Sequence, residues 1–294
     1  MRKIPSLSVE STCSPSTTIN DSAETDDFSP TNSNRPFIDD IIFEILHFLE
    51  SLFIIQVCMK ISKQWRQVSF QIPLSLSYEL NSSKQVRKQI KLLTNCQCLK
   101  NLTSLNLENN QIGSECVKYI SASGYLKNLV SLNLFANLLG NKGVKYIANS
   151  ESLTRLTSLD LRYNQIGNEG VKHITTSEGL KNLTSLNLYY NDIGNEGVKY
   201  ITTSLKSLTS LNLCYNNIGN EGVKYIANSE SLKNLTSLNL GHNNIEIEGV
   251  KHVANSECLR NLTSLNLFSN HLSNEGVKYI KTSEWLKELA SLDP

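Results

Sequence analysis

The stretch Asn182–Ser204, NLTSLNLYYNDIGNEGVKYITTS, decides the fold because close copies of it stand on both sides. The first leucine of each LxSL unit recurs along the chain at Leu102, Leu129, Leu156, Leu183, Leu208, Leu235, Leu262 and Leu289. The spacing is 27 residues, apart from one unit of 25. A fixed period of this size indicates a repeat architecture, in which each unit buries its apolar face against its neighbours.

Each unit has the pattern of a short strand followed by a helix. Leu186 and Leu188 alternate with polar residues and Tyr189, which predicts a strand with its leucines inward. We expect a cap at Asn195 to begin a helix that turns Val198 toward the core. Stacking the units would then place the strands in one parallel sheet.

An asparagine recurs after every predicted strand, on its inward side. Its positions are Asn110, Asn137, Asn164, Asn191, Asn216, Asn243 and Asn270. A short amide there can satisfy backbone groups of the turn in its own and neighbouring coils, which an apolar side chain would leave unpaired. We therefore expect this asparagine ladder to be structural.

The recurring frame LxxLxLxxNxI identifies the units as leucine-rich repeats. The segment GNEGVKYI resembles the ribonuclease-inhibitor-like class of these repeats. The resemblance covers about residues 74–294. It implies an α/β horseshoe solenoid with a parallel sheet on the concave face and helices on the convex face.

The solenoid is predicted to occupy residues 73–294 and to have imperfect ends. Tyr78 and Leu80 lie 27 residues before Leu105 and Leu107, so we expect a degenerate first coil ahead of the seven clear repeats. From Leu289 an incomplete last unit begins, whose edge is either exposed or covered by a partner.

Variation concentrates at two outward positions at the end of each strand. These side chains are free to meet a ligand, and aromatic residues near an arginine are the usual anchors of a protein interface. The predicted target-binding residues are Phe135, Arg162, Tyr163, Tyr189, Tyr190, Tyr215, His242 and Phe268. The alternative is that these side chains are exposed on a surface that binds no partner.

The convex face carries a lysine after the first helical valine of every unit, which invites a nucleic-acid hypothesis. Six of the seven lysines have a glutamate three residues earlier, so the stripe is nearly neutral. The net charge of the chain is +1. We therefore expect no nucleic-acid partner.

The composition is that of an ordinary globular protein, with 39 % apolar and 19 % charged residues among 294. No signal peptide or membrane span is predicted, and seven scattered cysteines favour a reducing compartment, the cytoplasm or the nucleus. We find no metal-ligand spacing, phosphate loop or nucleophile motif. The sequence thus predicts a protein that is not an enzyme and needs no cofactor or metal.

Two segments precede the repeats. Residues 1–35 are rich in serine and threonine and are predicted to be a disordered tail. Residues 36–72 are dense in large apolar groups and predict short helices, beginning with Ile41, Ile45 and Leu49 at a spacing of four. So small a unit cannot bury all of this surface, which implies a protein partner.

The segment FIDDIIFEILHFLESLFIIQVCMKISKQW (Phe37–Trp65) resembles an F-box. The likeness lies in the acidic pair, the apolar helix and the spaced Cys58 and Trp65, and the segment departs from the family pattern at Ile38 and Ile61. The resemblance implies docking to a Skp-family adaptor that joins a cullin ubiquitin ligase. The candidate adaptor contacts are Ile41, Ile42, Ile45, Leu46, Leu49 and Trp65.

The resulting hypothesis is a substrate receptor of a Skp-cullin-F-box ubiquitin ligase, with the target on the concave face. One rival is an interaction scaffold without a ubiquitin link, in which the helical segment only caps the solenoid. A second rival is an enzyme regulator such as a GTPase activator, for which Arg162 would be the functional side chain.

Overall fold

The structure, a computed structural model, describes residues 74–77, 87, 90, 91, 93–95, 97–272 and 274–293. The strands are β1 (Leu74–Ser77), β2 (Leu102–Asn106), β3 (Ser131–Asn133), β4 (Ser158–Asp160), β5 (Ser185–Asn187), β6 (Ser210–Asn212), β7 (Ser237–Asn239), β8 (Ser264–Asn266) and β9 (Ser291–Asp293). They form one parallel sheet in chain order, which confirms the predicted solenoid.

A helix follows each of the seven central strands. The helices are α1 (Gly113–Ser121), α2 (Gly140–Ala148), α3 (Asn168–Thr175), α4 (Asn195–Ser204), α5 (Asn220–Ala227), α6 (Ile247–Ala254) and α7 (Asn274–Lys281). Short 3₁₀ helices at Gln97–Asn101, Glu178–Leu180, Glu230–Leu232 and Glu257–Leu259 lead into β2, β5, β7 and β8. Hereafter coils one to seven are the units that begin with β2 to β8.

The repeat spacing sets the register of the sheet. Ser185 pairs with Ser158 on one side and with Ser210 on the other, so equivalent residues lie side by side even across the short unit. Leu186 and Leu188 are at most 1 % exposed, whereas Ser185, Asn187 and Tyr189, which alternate with them, are only partly buried. The alternation predicted from the sequence is therefore confirmed.

The core lies between the sheet and the helices. Each coil adds the same leucines from its strand, and coils one to five add a valine and an isoleucine from the helix, such as Val198 and Ile201 in coil four. Coil six adds Val250 and Val253, and coil seven adds Ile280. Helices are about 10 Å across, whereas neighbouring strands are about 4.8 Å apart. The helix side must therefore take the outside of the curve, and the sheet face is the concave one.

The first coil pairs in a different register from the predicted one. Leu76, not Tyr78, lies opposite Leu105, and a bulge separates the pairs of Leu74 and Ser75. Leu76 stands 29 residues before Leu105, so this coil is two residues longer than the repeat. The spacing is 28 residues between Leu74 and Leu102 and 29 between Ser75 and Ser104, so the bulge takes up one of the two extra residues and the other lies elsewhere in the coil.

The asparagine of GNEG does not cap its own helix, contrary to the prediction. The Asn195 side-chain oxygen accepts hydrogen bonds from the backbone N–H groups of Gly219 (2.8 Å) and Gly222 (3.1 Å), which begin the helix of the next coil. Asn141, Asn168 and Asn220 make the same pair of bonds. This second ladder therefore joins coils.

The convex face is a mixed-charge surface, as expected from its sequence. Lys172, Lys224 and Lys251 form ion pairs with the glutamates three residues before them. The tyrosines of the following position are partly buried against the core, and Lys172 lies 5.8 Å from the ring centre of Tyr200 in the next coil. These side chains support helix packing.

Candidate functional site

The first asparagine ladder holds the strand exits in place. The Asn137 side-chain oxygen accepts from the backbone N–H groups of Asn110 (3.0 Å) and Ile112 (3.2 Å) in the preceding coil. Its amide nitrogen donates to the carbonyl groups of Leu107 (2.7 Å) and Phe135 (3.1 Å). Because Asn137 is fully buried, these bonds satisfy backbone groups that water cannot reach, as predicted.

A second hydrogen bond fixes the backbone at the first variable position of each coil. The side-chain oxygen of Asn187, the last residue of β5, accepts from the backbone N–H of Tyr189 (3.2 Å). Asn133 and Asp160 do the same for Phe135 and Arg162. Each of these polar side chains ends its strand and fixes the direction of the residue two positions later.

The second variable position has a left-handed backbone. Tyr163, Tyr190, Tyr215 and His242 have φ angles between 50° and 55°. Left-handed geometry costs a bulky residue roughly 1 kcal/mol or more. The equivalent position of coil one holds Asn109, which is the better-suited type, so the fold itself does not require an aromatic ring there.

The structure brings all eight predicted target-binding residues into one surface, which we call the aromatic ribbon. It consists of Phe135, Arg162, Tyr163, Tyr189, Tyr190, Tyr215, His242 and Phe268. Tyr163 and Tyr190 stack at 4.1 Å between ring centres, and Tyr215 stacks on His242 at 3.8 Å. Tyr189 has ring contacts with both groups at 5.3 Å, and Phe135 and Phe268 extend the ends.

Arg162 closes one end of the ribbon. Its guanidinium forms an ion pair with Asp160 at 2.8 Å and lies 4.6 Å from the ring centre of Phe135. The side chain is thus held by a carboxylate on one side and by an aromatic face on the other. It can offer a fixed cationic edge to a bound partner.

A groove of about 500 Å³ runs beside the ribbon at the strand exits. Tyr163, Tyr190, Tyr215 and His242 line one wall, and the ladder residues Asn191 and Asn216 also line it. The remaining lining residues are Ala136, Leu138, Gln165, Asp192 and Asn217. The groove therefore combines aromatic rings with a mostly uncharged polar surface.

Sequence reasoning missed the groove residues that lie on the turns after the ladder asparagines. Leu138, Gln165, Asp192 and Asn217 all follow the ladder asparagine by one residue, at a position that differs in most coils. Leu138 is 56 % exposed, which is unusual for a leucine in a repeat. Variation at this position was the available signal, but only the turn geometry shows that it faces the second variable position.

Tyr189 in the ribbon and its neighbour Cys214 both have raised pKa values. The neighbouring hydroxyl of Tyr163, together with partial burial, raises the pKa of Tyr189 to about 12. Burial raises the pKa of the Cys214 thiol above its ordinary value. Both groups are therefore neutral at physiological pH, and Cys214 is no activated nucleophile.

Other predicted sites lie elsewhere or have no counterpart. The candidate adaptor contacts Ile41, Ile42, Ile45, Leu46, Leu49 and Trp65 lie outside the described residues. Within the described part of the chain, no three His, Cys, Asp or Glu side chains are grouped so that they could hold a metal ion. None of the helices described there is long and apolar enough to cross a membrane.

Comparison with solved structures finds internalin C2 from Listeria monocytogenes, with 21 % sequence identity and a TM-score of 0.47. The match covers 70 % of this chain and 91 % of that one. No curated protein matches the sequence.

A family model described as "Leucine Rich repeat" matches the chain seven times. The matched residues are 98–121, 125–148, 152–174, 179–201, 204–227, 231–254 and 258–281. These matches cover more than half of the chain and coincide with coils one to seven of the solenoid. The chain belongs to the leucine-rich repeat family.

Proposed function

We propose that this protein is a non-catalytic substrate receptor of a Skp-cullin-F-box ubiquitin ligase. Residues 36–72 would dock the Skp-family adaptor, and the aromatic ribbon would hold the target protein. The leucine-rich repeats themselves support the coarser statement that the protein is an interaction scaffold. The ubiquitin link rests on the resemblance of residues 37–65 to an F-box.

The observation that carries the binding role is the continuous row of rings on the sheet face. Tyr190 is 49 % and Phe268 is 51 % exposed, so about half of each side chain is available for contact with a partner. Aromatic side chains at the centre of a rigid surface are typical interface anchors. The solenoid would present a bound target in one orientation, without catalysis of its own.

The environment of Arg162 argues against the GTPase-activating alternative. A residue that stabilises a transferring phosphoryl group must extend its guanidinium freely toward the nucleotide. Arg162 is instead tied to Asp160 and packed on Phe135. A positioning role at the end of the ribbon fits this geometry better.

The adaptor half of the proposal is tested by co-purification with a Skp-family adaptor. We expect the full chain to retain the adaptor and a chain without residues 36–72 to lose it, while the circular dichroism of the repeats stays unchanged. Equal recovery of the adaptor from both chains would contradict the F-box assignment. Collapse of the first coils in the shortened chain would favour the rival in which the segment is only a cap.

The target half is tested by proximity labelling with a matched pair of variants. Tyr215 and Tyr125 are both 38 % exposed, but only Tyr215 belongs to the ribbon. We expect Tyr215→Ala to remove labelled partners that Tyr125→Ala retains, because loss of an anchor costs roughly tenfold or more in affinity. Identical partner sets for the two variants would contradict a binding role of the ribbon.

A further inference from the structure

The groove beside the ribbon carries one uncompensated negative charge. Asp192 is exposed on its wall and, among the residues that the structure describes, forms no side-chain hydrogen bond or ion pair. The other carboxylate of this region, Asp160, is neutralised by Arg162 at 2.8 Å. Among the residues that the structure describes, no lysine or arginine lines the groove. The groove is therefore complementary to a cation.

The neighbouring side chains favour a particular kind of cation. Tyr163, Tyr190 and Tyr215 supply aromatic surface, which attracts guanidinium and ammonium groups. Leu138, exposed at one end of the groove, offers an apolar contact for an aliphatic stem. A planar guanidinium can stack on a ring and bind a carboxylate with two hydrogen bonds, whereas an ammonium makes only point contacts.

The backbone supplies an independent reason to regard the tyrosine wall as selected for binding. The tyrosines and His242 keep left-handed φ angles of 50° to 55°, where glycine or asparagine would be less strained. Coils one and seven place Asn109 and Ser269 at this position with the same geometry. Strain retained for exposed rings is typical of a functional surface.

We infer that the groove binds an arginine side chain of a partner protein, with the guanidinium at Asp192 beside the tyrosine rings and the aliphatic stem toward Leu138. This inference rests on the proposed binding role of the ribbon and names its ligand chemistry. Phosphorylated or acidic segments do not fit, because Asp192 would repel them and none of the described lining residues is a lysine or arginine that would hold them.

The neighbouring coils provide conservative variants for the test. Asn217 and Asn244 follow the ladder asparagine in coils five and six, as Asp192 does in coil four. Asp192→Asn therefore installs a residue that this turn already accepts and removes only the charge. Asn217→Asp places a second carboxylate on the groove wall. Glu196→Gln removes the same charge from the exposed face of α4 and serves as the control.

The probe is a displayed library of random peptides, selected on the immobilised full chain. We expect arginine to be enriched over the input library, and synthetic copies of the selected peptides to bind Asp192→Asn roughly three- to tenfold more weakly. Replacing the selected arginine by citrulline, which keeps the shape without the charge, should weaken binding to the same extent. Asn217→Asp should strengthen binding, and Glu196→Gln should leave it unchanged.

Two results would overturn the inference. In the first, the selected peptides depend on Tyr190 but either show no enrichment of arginine or bind Asp192→Asn as well as the parent chain. The ribbon then binds a partner by other chemistry, and the proposed function stands. In the second, every selected peptide binds Tyr190→Ala as well as the parent chain. The ribbon is then not a peptide-binding surface, and both the arginine site and the target-binding role of the ribbon are wrong. The adaptor experiment is independent of either outcome.

Discussion

Gly222 illustrates how single residues join one coil to the next. A Cβ atom added there would lie 2.6 Å from the side-chain oxygen of Asn195 and 2.8 Å from a methyl group of Ile218. The glycine of NEGV thus leaves room for the asparagine of the preceding coil to reach the helix N-terminus. Gly276 is the equivalent glycine of coil seven, and the preceding coil has Ile247 in place of the asparagine. A Cβ atom on Gly276 would meet nothing closer than 3.9 Å.

These two glycines form a matched pair for a stability test. We expect Gly222→Ala to lower the free energy of unfolding by about 1 to 3 kcal/mol, because the methyl group must displace Asn195 or Ile218. Gly276→Ala should be neutral or stabilise by up to about 1 kcal/mol, because alanine favours the helix and space is available. Urea denaturation followed by circular dichroism measures both. Equal effects would contradict the crowding argument.

Tyr189 gives a prediction for alkaline pH. Its pKa is raised to about 12 from an ordinary value of 10.0, so the folded chain favours the neutral phenol. The stabilisation is therefore complete below about pH 10 and is lost as the pH rises toward about 12. We expect Tyr189→Phe to flatten the fall in unfolding free energy over this interval, whereas Tyr125→Phe should not. A fall of equal size in all three proteins would show that Tyr189 is not responsible.

At the scale of elements, the connection from helix to strand absorbs differences in length. Coil four has lost two residues between α4 and β6, yet β5 and β6 pair in the same register as the other strands. Coils three, five and six use a 3₁₀ helix in this connection, whereas α4 runs to Ser204 and a turn follows. The strand and the ladder asparagine tolerate no such change, because both bond to two neighbouring coils.

Restoring the missing residues tests this division of roles. Insertion of Glu-Ser after Ser204 recreates the sequence SESL found at Ser229–Leu232. We expect the unfolding free energy to change by less than about 1 kcal/mol, because a slightly longer connection costs little. The same dipeptide inserted after Ser210 interrupts β6 and should unfold the adjacent coils. Loss of structure from the first insertion, measured by circular dichroism, would contradict the prediction.

At the scale of the whole molecule, each coil is stabilised by its immediate neighbours. Helices pack against those of adjacent coils, and the backbone N–H of Leu267 donates to the carbonyl of Asp293 in the last strand. The solenoid therefore behaves as a row of coupled units, and its stability is close to a sum of coil and interface contributions.

Removal of residues 284–294 tests this coupling. We expect the amide of Leu267 to lose its protection from hydrogen exchange, because its acceptor is gone and Leu265 becomes exposed. The amide of Leu161, which donates to Asn187 between two central coils, should keep its protection. Hydrogen exchange with mass spectrometry distinguishes the two. A uniform loss across all coils would indicate a single cooperative unit.

Much of the candidate site was predictable because the repeat itself marks which positions vary. All eight ribbon residues were found from variation between the units at two positions that follow each strand. Strand alternation accounts only for the first of these positions, because the second has a left-handed backbone. The groove was not predictable, since Leu138 and Asp192 lie on turns whose direction depends on the left-handed residue two or more positions earlier. Nor was the register of the first coil, because β2 has an extra residue between Leu102 and Ser104, and periodicity does not reveal such a bulge.

By itself, the sequence determined the leucine-rich repeat, the parallel sheet, the inward leucines and the structural asparagine ladder. Those features follow from a period that every coil repeats, so local pattern and global fold agree. The tertiary structure alone decided that Asn195 serves the next coil, that rings from six coils meet in one ribbon, and that Asp192 has no side-chain partner among the described residues. Contacts between coils depend on side-chain directions and close approaches in three dimensions, which spacing along the chain does not specify.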